Sequence, residues 1–187
     1  MNRAIGNFLK KAVISFTSFF VLALIINWAV IEFFGQKSAD RVEHSLIGIL
    51  LLIAYVSLFA NKQGSKKAVA FFLLTLIPCY FGTIFPDLDI ILFGIGGHRN
   101  PLFHSGLSFL ILLFFVWRRN ELLQTLVVGY GVGIASHLWW DIVYYGDVRW
   151  IPGGFLDRAW LGVNGLLCFI SPEKKSTFHE TRSELKC

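Results

Sequence analysis

AVAFFLLTLIPCYFGTIFPDLD, residues 68–89, is an apolar run that ends in a proline followed by two aspartates. The run up to Phe85 approaches the roughly 20 apolar residues that a helix needs to cross about 30 Å of hydrocarbon. Pro86 disfavours helical geometry at the preceding residue, so the helix is predicted to end at Phe85. Asp87 and Asp89 are then expected in extended chain, where residues two apart point the same way and both carboxylates could face one ion.

Further apolar runs of similar length lie on both sides of this one. The chain has 187 residues, 55% of them hydrophobic, and a mean hydropathy of +0.62. This composition is too apolar for an ordinary soluble domain and predicts a small integral membrane protein with one domain, residues 1–187. The candidate transmembrane helices are 12–34, 44–60, 68–85, 102–117, 122–145 and 155–170. The predicted fold class is therefore all-α, a polytopic transmembrane bundle of about six membrane-spanning helices.

The basic residues give an expected orientation for this bundle. With six spans and the N-terminus inside, most of the 17 Lys and Arg fall on the inner side, as the positive-inside rule requires. The outer side keeps Lys37, Arg41, Arg99, Arg149 and Arg158. Both termini, including a tail at 171–187, are expected in the cytoplasm of a bacterial or archaeal cell. The net charge of +5 is then explained by the basic residues on the inner side and by contact with the lipid bilayer. The sequence has no basic stretch interleaved with aromatic residues, so nucleic-acid binding is not predicted.

On this topology, imidazole and carboxylate side chains gather on the outer membrane face. They are His44, Asp87, Asp89, His98, His104, His137 and Asp141. An ionised side chain in hydrocarbon costs roughly 3 kcal/mol on insertion scales, so these groups are expected near the interface, satisfied by one another or by a metal ion. The three cysteines have no paired spacing, so neither a disulfide framework nor a thiolate metal site is indicated.

Local patterns favour convergence of these side chains. Asn100 and Pro101 are typical of an N-cap and a first helical position, which predicts His104 in the first turn of the next helix. His137 and Asp141 are four residues apart, so on a helix they share a face.

Each of these patterns also has an ordinary structural interpretation. A lone His137 and Asp141 pair is more often an internal ion pair, and His44 could be an interfacial residue at a helix start. Arg99 could be a solvated loop charge, and His179 is expected to be exposed in the charged tail. Independent structural roles give no reason for the joint occurrence on one side, so the whole set favours a metal centre.

Three motifs carry a resemblance to a known family. PDLD at 86–89, HRNPLFHS at 98–105 and GVGIASHLWWD at 131–141 resemble the YdjM-type family of predicted membrane-bound metal-dependent hydrolases. They are more distantly similar to zinc-dependent bacterial phospholipase C, and the resemblance covers roughly residues 44–152. It implies hydrolysis by a metal-activated water, with all seven side chains named above as metal ligands.

Imidazole and carboxylate ligands without thiolate suit Zn²⁺ first, with Mn²⁺ or Fe²⁺ also possible. The expected substrate is a phosphoester or ester of a lipid or lipid-linked molecule, because the site is expected at the outer interface. Asp89 could orient the water or act as general base, and Arg99 could stabilise developing anionic charge. Two alternatives stay open: a metal-ion transporter, and a non-catalytic membrane protein whose metal ties helix ends together.

Overall fold

The computed structural model of the chain describes residues 3–34, 36–60, 64–117, 120–144, 147–149, 151 and 153–170. The regular secondary structure of these ranges is helical, without a strand. The expected cytoplasmic tail and His179 lie outside the described residues, so both stay predictions.

The helices follow the apolar runs of the sequence. In chain order they are α1 (Arg3–Phe34), α2 (Gln36–Tyr55), which continues into a π-helical turn (Val56–Ala60), α3 (Ser65–Ile84), α4 (Leu88–Phe93), a 3₁₀ turn (Ile95–Gly97), α5 (Leu107–Val116), α6 (Glu121–Tyr144) and α7 (Phe155–Phe169). The prediction of an all-α helical bundle is confirmed.

Four helical segments are long and apolar enough to cross a membrane. They are Lys10–Phe33, Val42–Phe59, Ser65–Phe93 and Glu121–Tyr144. α5 is equally apolar but has 10 residues, and α7 has 15, so these helices are about 15 and 22 Å long. Large apolar side chains such as Trp28, Phe33 and Phe114 project outward from the bundle. The protein thus has the helices of a membrane protein and a surface suited to contact with lipid.

α5 begins later than the sequence pattern predicts. Asn100 does cap a turn, because its side-chain oxygen accepts the Leu102 N–H at 2.9 Å and its carbonyl oxygen accepts the His104 N–H at 2.8 Å. The chain then makes further turns before the helix starts at Leu107. The prediction that His104 lies in the first turn of this helix is therefore wrong, and His104 lies in the loop that precedes it.

α3 and α6 form the centre of the bundle, where their backbones touch. A Cβ added at Gly82 would overlap the carbonyl oxygen of Tyr130, and one added at Gly133 would overlap that of Cys79. Small residues of this kind allow the close helix packing that membrane bundles use. The contact fixes the last turns of α3 against the middle of α6, about one turn before the candidate ligand His137.

α2, α7 and α1 pack around this pair. α2 buries Ile47 and Leu51 in the core, and on α7 the carbonyl oxygen of Gly162 accepts the Trp139 indole N–H at 3.2 Å. α1 lies against α2, and the Asn27 side chain is hydrogen-bonded to the Tyr144 hydroxyl. The part of α2 around His44, the end of α3, the loop before α5 and the end of α6 consequently meet at one end of the bundle.

Candidate metal centre

The two aspartates after α3 are placed by a short helix. α3 ends at Ile84 with Phe85 as its C-cap, as Pro86 predicts, but the chain turns at once into α4. Asp87 is the N-cap of α4 and Asp89 lies in its first turn. The prediction that both lie in extended chain is wrong, because the chain turns directly into a new helix after Pro86.

Asp89 is fully buried and held by the loop that follows α4. Its Oδ2 accepts the Asn100 backbone N–H at 2.9 Å, and its Oδ1 lies 3.0 Å from His98 Nδ1. His104 Nδ1 is 3.4 Å from Asp89 Oδ2. Both loop histidines, His98 and His104, therefore lie next to the Asp89 carboxylate, near the end of α3.

α6 contributes the predicted pair on one face. His137 Nε2 is 3.4 Å from Asp141 Oδ2, which confirms the expected i, i+4 arrangement. His137 Nδ1 donates a hydrogen bond to the Thr83 carbonyl oxygen at 2.7 Å. Since that nitrogen carries the proton, the lone pair of the imidazole is on Nε2, which lies 3.6 Å from Asp87 Oδ1.

His104 is completely buried, with both ring nitrogens between carboxylates. In addition to its contact with Asp89, its Nε2 is 3.5 Å from Asp141 Oδ2. Its carbonyl oxygen accepts the Trp160 indole N–H at 2.8 Å, so α7 fixes the loop from behind. Burial lowers the pKa of His104 because it disfavours the charged imidazolium, and the neutral ring keeps a lone pair for a ligand.

His44 joins the set from α2. Its ring stacks on that of His137 with centroids 4.1 Å apart and an interplanar angle of 14°, and its Nε2 is 3.9 Å from Asp141 Oδ1. The side chain is buried, unlike an interfacial residue at a helix start. The structure thus brings His44 together with the other candidate ligands.

The seven side chains form three overlapping groups that could hold a metal ion. We call His44, His137 and Asp141 the inner triad, and Asp89, His98 and His104 the outer triad; Asp87, His104 and His137 form a third group between them. In each group the possible ligand atoms lie within 4.8 Å of one another. All the metal ligands predicted from the sequence are therefore in one cluster.

The cluster fits a divalent ion better than a set of hydrogen bonds. His104 Nδ1 and Nε2 and His137 Nε2 are buried without a hydrogen-bond partner. Their distances to carboxylate oxygens, 3.4 to 3.6 Å, are longer than a hydrogen bond of about 2.9 Å. Ligand atoms at about 2.1 Å from a tetrahedral ion are separated by about 3.4 Å. One nitrogen of each ring is thus spaced as a ligand is, and these nitrogens lack the partners that buried polar atoms normally have.

The cluster opens to the surface at one side. The Asp87 side chain is 34% exposed and that of His98 is 21% exposed, whereas the other five are at most 8% exposed. A ligand or solvent molecule would therefore reach the centre past Asp87 and His98.

Arg99 lies beside the cluster in the same loop as His98. Its guanidinium forms an ion pair with Asp147, and its carbonyl oxygen accepts the Arg149 backbone N–H at 2.9 Å. Its φ of 61° is in the left-handed region, which non-glycine residues adopt at a cost of about 1 kcal/mol. Arg99 thus connects the loop before α5 to the segment after α6, and its predicted catalytic role stays a prediction.

Sequence reasoning missed the groups that hold these ligands in place. The Thr83 carbonyl and the Asn100 backbone N–H carry no signal of their own, although Asn100 was recognised as a cap. Trp160 was not singled out, and its contact with His104 depends on how α7 packs. A second polar cluster also lies between α1, α2 and α6 and had no sequence signal: Asn27 and Glu43 are buried there, and Asn27 is hydrogen-bonded to the hydroxyl of the exposed Tyr144.

A protein-family model described as "Domain of unknown function (DUF5942)" matches residues 65–177. The match begins at the first residue of α3 and contains six of the seven candidate ligands, while His44 precedes it. Comparisons with curated proteins and with solved structures find no match.

Proposed function

The chain belongs to the family described as a domain of unknown function (DUF5942), and from its site we propose that this protein is a membrane-bound metal-dependent hydrolase. The proposed substrate is a phosphoester or ester of a lipid or lipid-linked molecule. The proposed location of the centre is the extracytoplasmic face of a bacterial or archaeal plasma membrane.

One observation carries this proposal: the buried imidazole nitrogens of His104 and His137 lack hydrogen-bond partners and face carboxylates at ligand spacing. Buried polar atoms without partners are costly, by about 1–3 kcal/mol each, so a group that satisfies them is expected. A divalent ion bound by these side chains would supply Lewis acidity and would make a water molecule nucleophilic at neutral pH. Zn²⁺ is the ion we propose first, on the ligand chemistry.

The openness of the cluster favours hydrolysis over a purely structural metal. A structural site is closed by its ligands, whereas a catalytic site keeps a position for water or substrate. Here the half-buried Asp87 and the partly exposed His98 leave such a side open.

The position of the cluster also favours hydrolysis over metal transport. A transport path would continue toward the other end of the bundle with further ligands. Deeper between α3 and α6, the buried polar side chains of the described residues are hydroxyls and a thiol, namely Thr75, Ser136 and Cys79. Metal uptake into proteoliposomes is therefore not expected, and its detection would favour the transporter.

The protein's own residues have distinct proposed roles. Thr83 fixes the ring of His137 so that Nε2 faces the cluster, and Asp89 orients the ring of His98. The proposed role of Arg99, which follows His98 in the chain and pairs with Asp147, is to neutralise anionic charge on a substrate phosphate or ester oxygen.

The resemblance of the PDLD, HRNPLFHS and GVGIASHLWWD motifs to the YdjM-type hydrolases supports the same reaction class. It comes from the residues that form the cluster, so it is not independent of the site.

The first experiment is metal content per chain, measured by mass spectrometry on detergent-purified protein, together with hydrolysis of chromogenic phosphodiesters and carboxylic esters. Two properties are expected of wild type: bound zinc and hydrolysis of one of these bond types. His137→Ala is expected to contain less zinc than wild type, and both His137→Ala and Asp87→Ala are expected to lose hydrolysis. Glu121→Ala, an exposed carboxylate at the other end of α6, serves as the control and should retain both. Folded wild type that binds no divalent metal after reconstitution would overturn the proposal.

A further inference from the structure

The candidate ligands are too many for one ion. A zinc site takes about four protein ligands, and a catalytic one takes three. The cluster offers seven, and they divide into two triads that share no residue: the inner triad of His44, His137 and Asp141, and the outer triad of Asp89, His98 and His104. Each triad therefore has the number of ligands that a catalytic site uses for one ion.

Asp87 belongs to neither triad and lies between them. Its Oδ1 is 3.6 Å from His137 Nε2, in the inner triad, and 3.9 Å from His98 Nε2, in the outer triad. A carboxylate oxygen that faces one imidazole of each set has the position of a bridging ligand. Asp87 is also the most exposed side chain of the cluster, so this bridge would lie at the opening.

A second link joins the two triads behind Asp87. His104 Nε2, in the outer triad, lies 3.5 Å from Asp141 Oδ2, in the inner triad, and the two rings His104 and His137 have centroids 5.5 Å apart. The triads are thus adjacent, which is the arrangement of two-metal sites whose ions are about 3.5–4 Å apart.

We propose that the centre holds two divalent ions, one in each triad, with the Asp87 carboxylate bridging them. The inference takes the metal centre of the proposed function as given and adds its stoichiometry and its bridging ligand. It assigns the inner ion a buried position fixed by α2 and α6, and the outer ion a position in the loop between α4 and α5, nearer the opening. A two-ion centre suits a phosphoester, because both the attacking and the leaving oxygen can be stabilised.

The test is to strip the detergent-purified protein with a chelator, reload it with Mn²⁺, count the ions per chain, and record the electron paramagnetic resonance spectrum. Wild type is expected to bind two ions and to give an exchange-coupled spectrum. His44→Ala and His98→Ala are each expected to retain one ion with the spectrum of an isolated Mn²⁺. Asp87→Ala is expected to lose the exchange coupling, and Glu121→Ala should match wild type.

One ion in wild type that both histidine variants retain would overturn the proposal and indicate a single ion in the group of Asp87, His104 and His137. Loss of all metal from both folded histidine variants would also overturn it, because each variant leaves one triad intact. Coupling that survives in Asp87→Ala would overturn the bridge. Circular dichroism and size-exclusion chromatography check that each variant is folded. If an alanine variant does not fold, His44→Gln or His98→Gln replaces it. The number of ions and the spectrum of wild type test the proposal without any variant. Two coupled ions without hydrolysis would contradict the proposed hydrolase function but not the two-ion centre. Hydrolysis by a protein with one ion would contradict the two-ion centre but not the hydrolase function.

Discussion

The Nδ1 atom of His137, on α6, lies 2.7 Å from the carbonyl oxygen of Thr83 in the last turn of α3. A carbonyl oxygen only accepts, so this contact fixes the proton on Nδ1 and leaves Nε2 as the ligand atom. Outer-shell contacts of this kind set the orientation of metal-binding histidines. The packing of α3 on α6 therefore determines which nitrogen of His137 faces the other candidate ligands.

Because of this contact, two substitutions of His137 are expected to have different effects on metal binding. In His137→Asn the side-chain amide can still donate to Thr83 but offers no atom at the position of Nε2, whereas in His137→Gln the amide reaches toward that position. We expect His137→Asn to keep the helix content and thermal stability of the apo protein and to lower its metal affinity by roughly 100-fold, with a smaller loss for His137→Gln. Calorimetric titration with Zn²⁺ measures both, and equal affinities would contradict the assignment of Nε2 as ligand.

Asp89→Asn distinguishes a ligand from a general base. Both carboxylate oxygens of Asp89 already contact the loop, through Asn100 on one side and His98 on the other, and the side chain has no exposed surface. We therefore expect the variant to lose metal along with hydrolysis, because an amide is a weaker ligand and cannot accept from every donor. Full metal content with abolished hydrolysis, measured on the same preparation, would instead support the predicted role as general base.

Gly133→Ala tests the backbone contact at the centre of the bundle. The new methyl group would overlap the carbonyl oxygen of Cys79, so the helices must separate, at a cost of roughly 1–3 kcal/mol. Gly6→Ala is the matched control, because no atom lies within 4 Å of its added Cβ and alanine favours a helix by about 1 kcal/mol. Thermal unfolding in detergent should rank Gly133→Ala below wild type and Gly6→Ala at or above it; the reverse order would contradict the α3–α6 contact.

Cysteine labelling tests the expected orientation. Arg149 follows α6 at the end of the bundle that holds the cluster, whereas Ser65 begins α3 at the opposite end, and both are exposed. In a variant with Cys187→Ser, the remaining Cys79 and Cys168 are buried. A membrane-impermeant maleimide added to intact cells should label Arg149→Cys and spare Ser65→Cys, and labelling of Ser65→Cys alone would place the centre on the cytoplasmic side.

The helical bundle and the membership of the cluster were predictable because both depend on composition. Apolar runs determine where the helices are. Ionisable side chains beside such runs are costly in hydrocarbon, so they are expected to cluster near the interface or inside the bundle. What the sequence could not provide was the local path between helices. Pro86 both ends α3 and permits α4 to begin, and Asn100 caps a turn that does not continue into a helix. Sequence patterns do not distinguish these outcomes, since packing decides them.

The grouping of ligands was also beyond sequence reasoning. Asp87 and Asp89 are neighbours in sequence, yet Asp89 falls in the outer triad and Asp87 lies between the triads. Which histidine faces which aspartate depends on the rotation of α2 and α6 about their axes. That rotation is set by contacts such as the ring stacking of His44 on His137, which no spacing rule contains.

The glycine contact between α3 and α6 has a consequence for how the metal centre responds to the thickness of the membrane. Where backbone touches backbone, no side chain can change its rotamer to let one helix slide along the other. Asp87 follows the end of α3 and His137 lies one turn beyond Gly133, so main-chain geometry sets their separation. A thinner or thicker bilayer would tilt the two helices as a unit. The distance between the candidate ligands therefore stays constant when the helices tilt, and the metal affinity of the protein should not depend on the acyl-chain length of the host lipid.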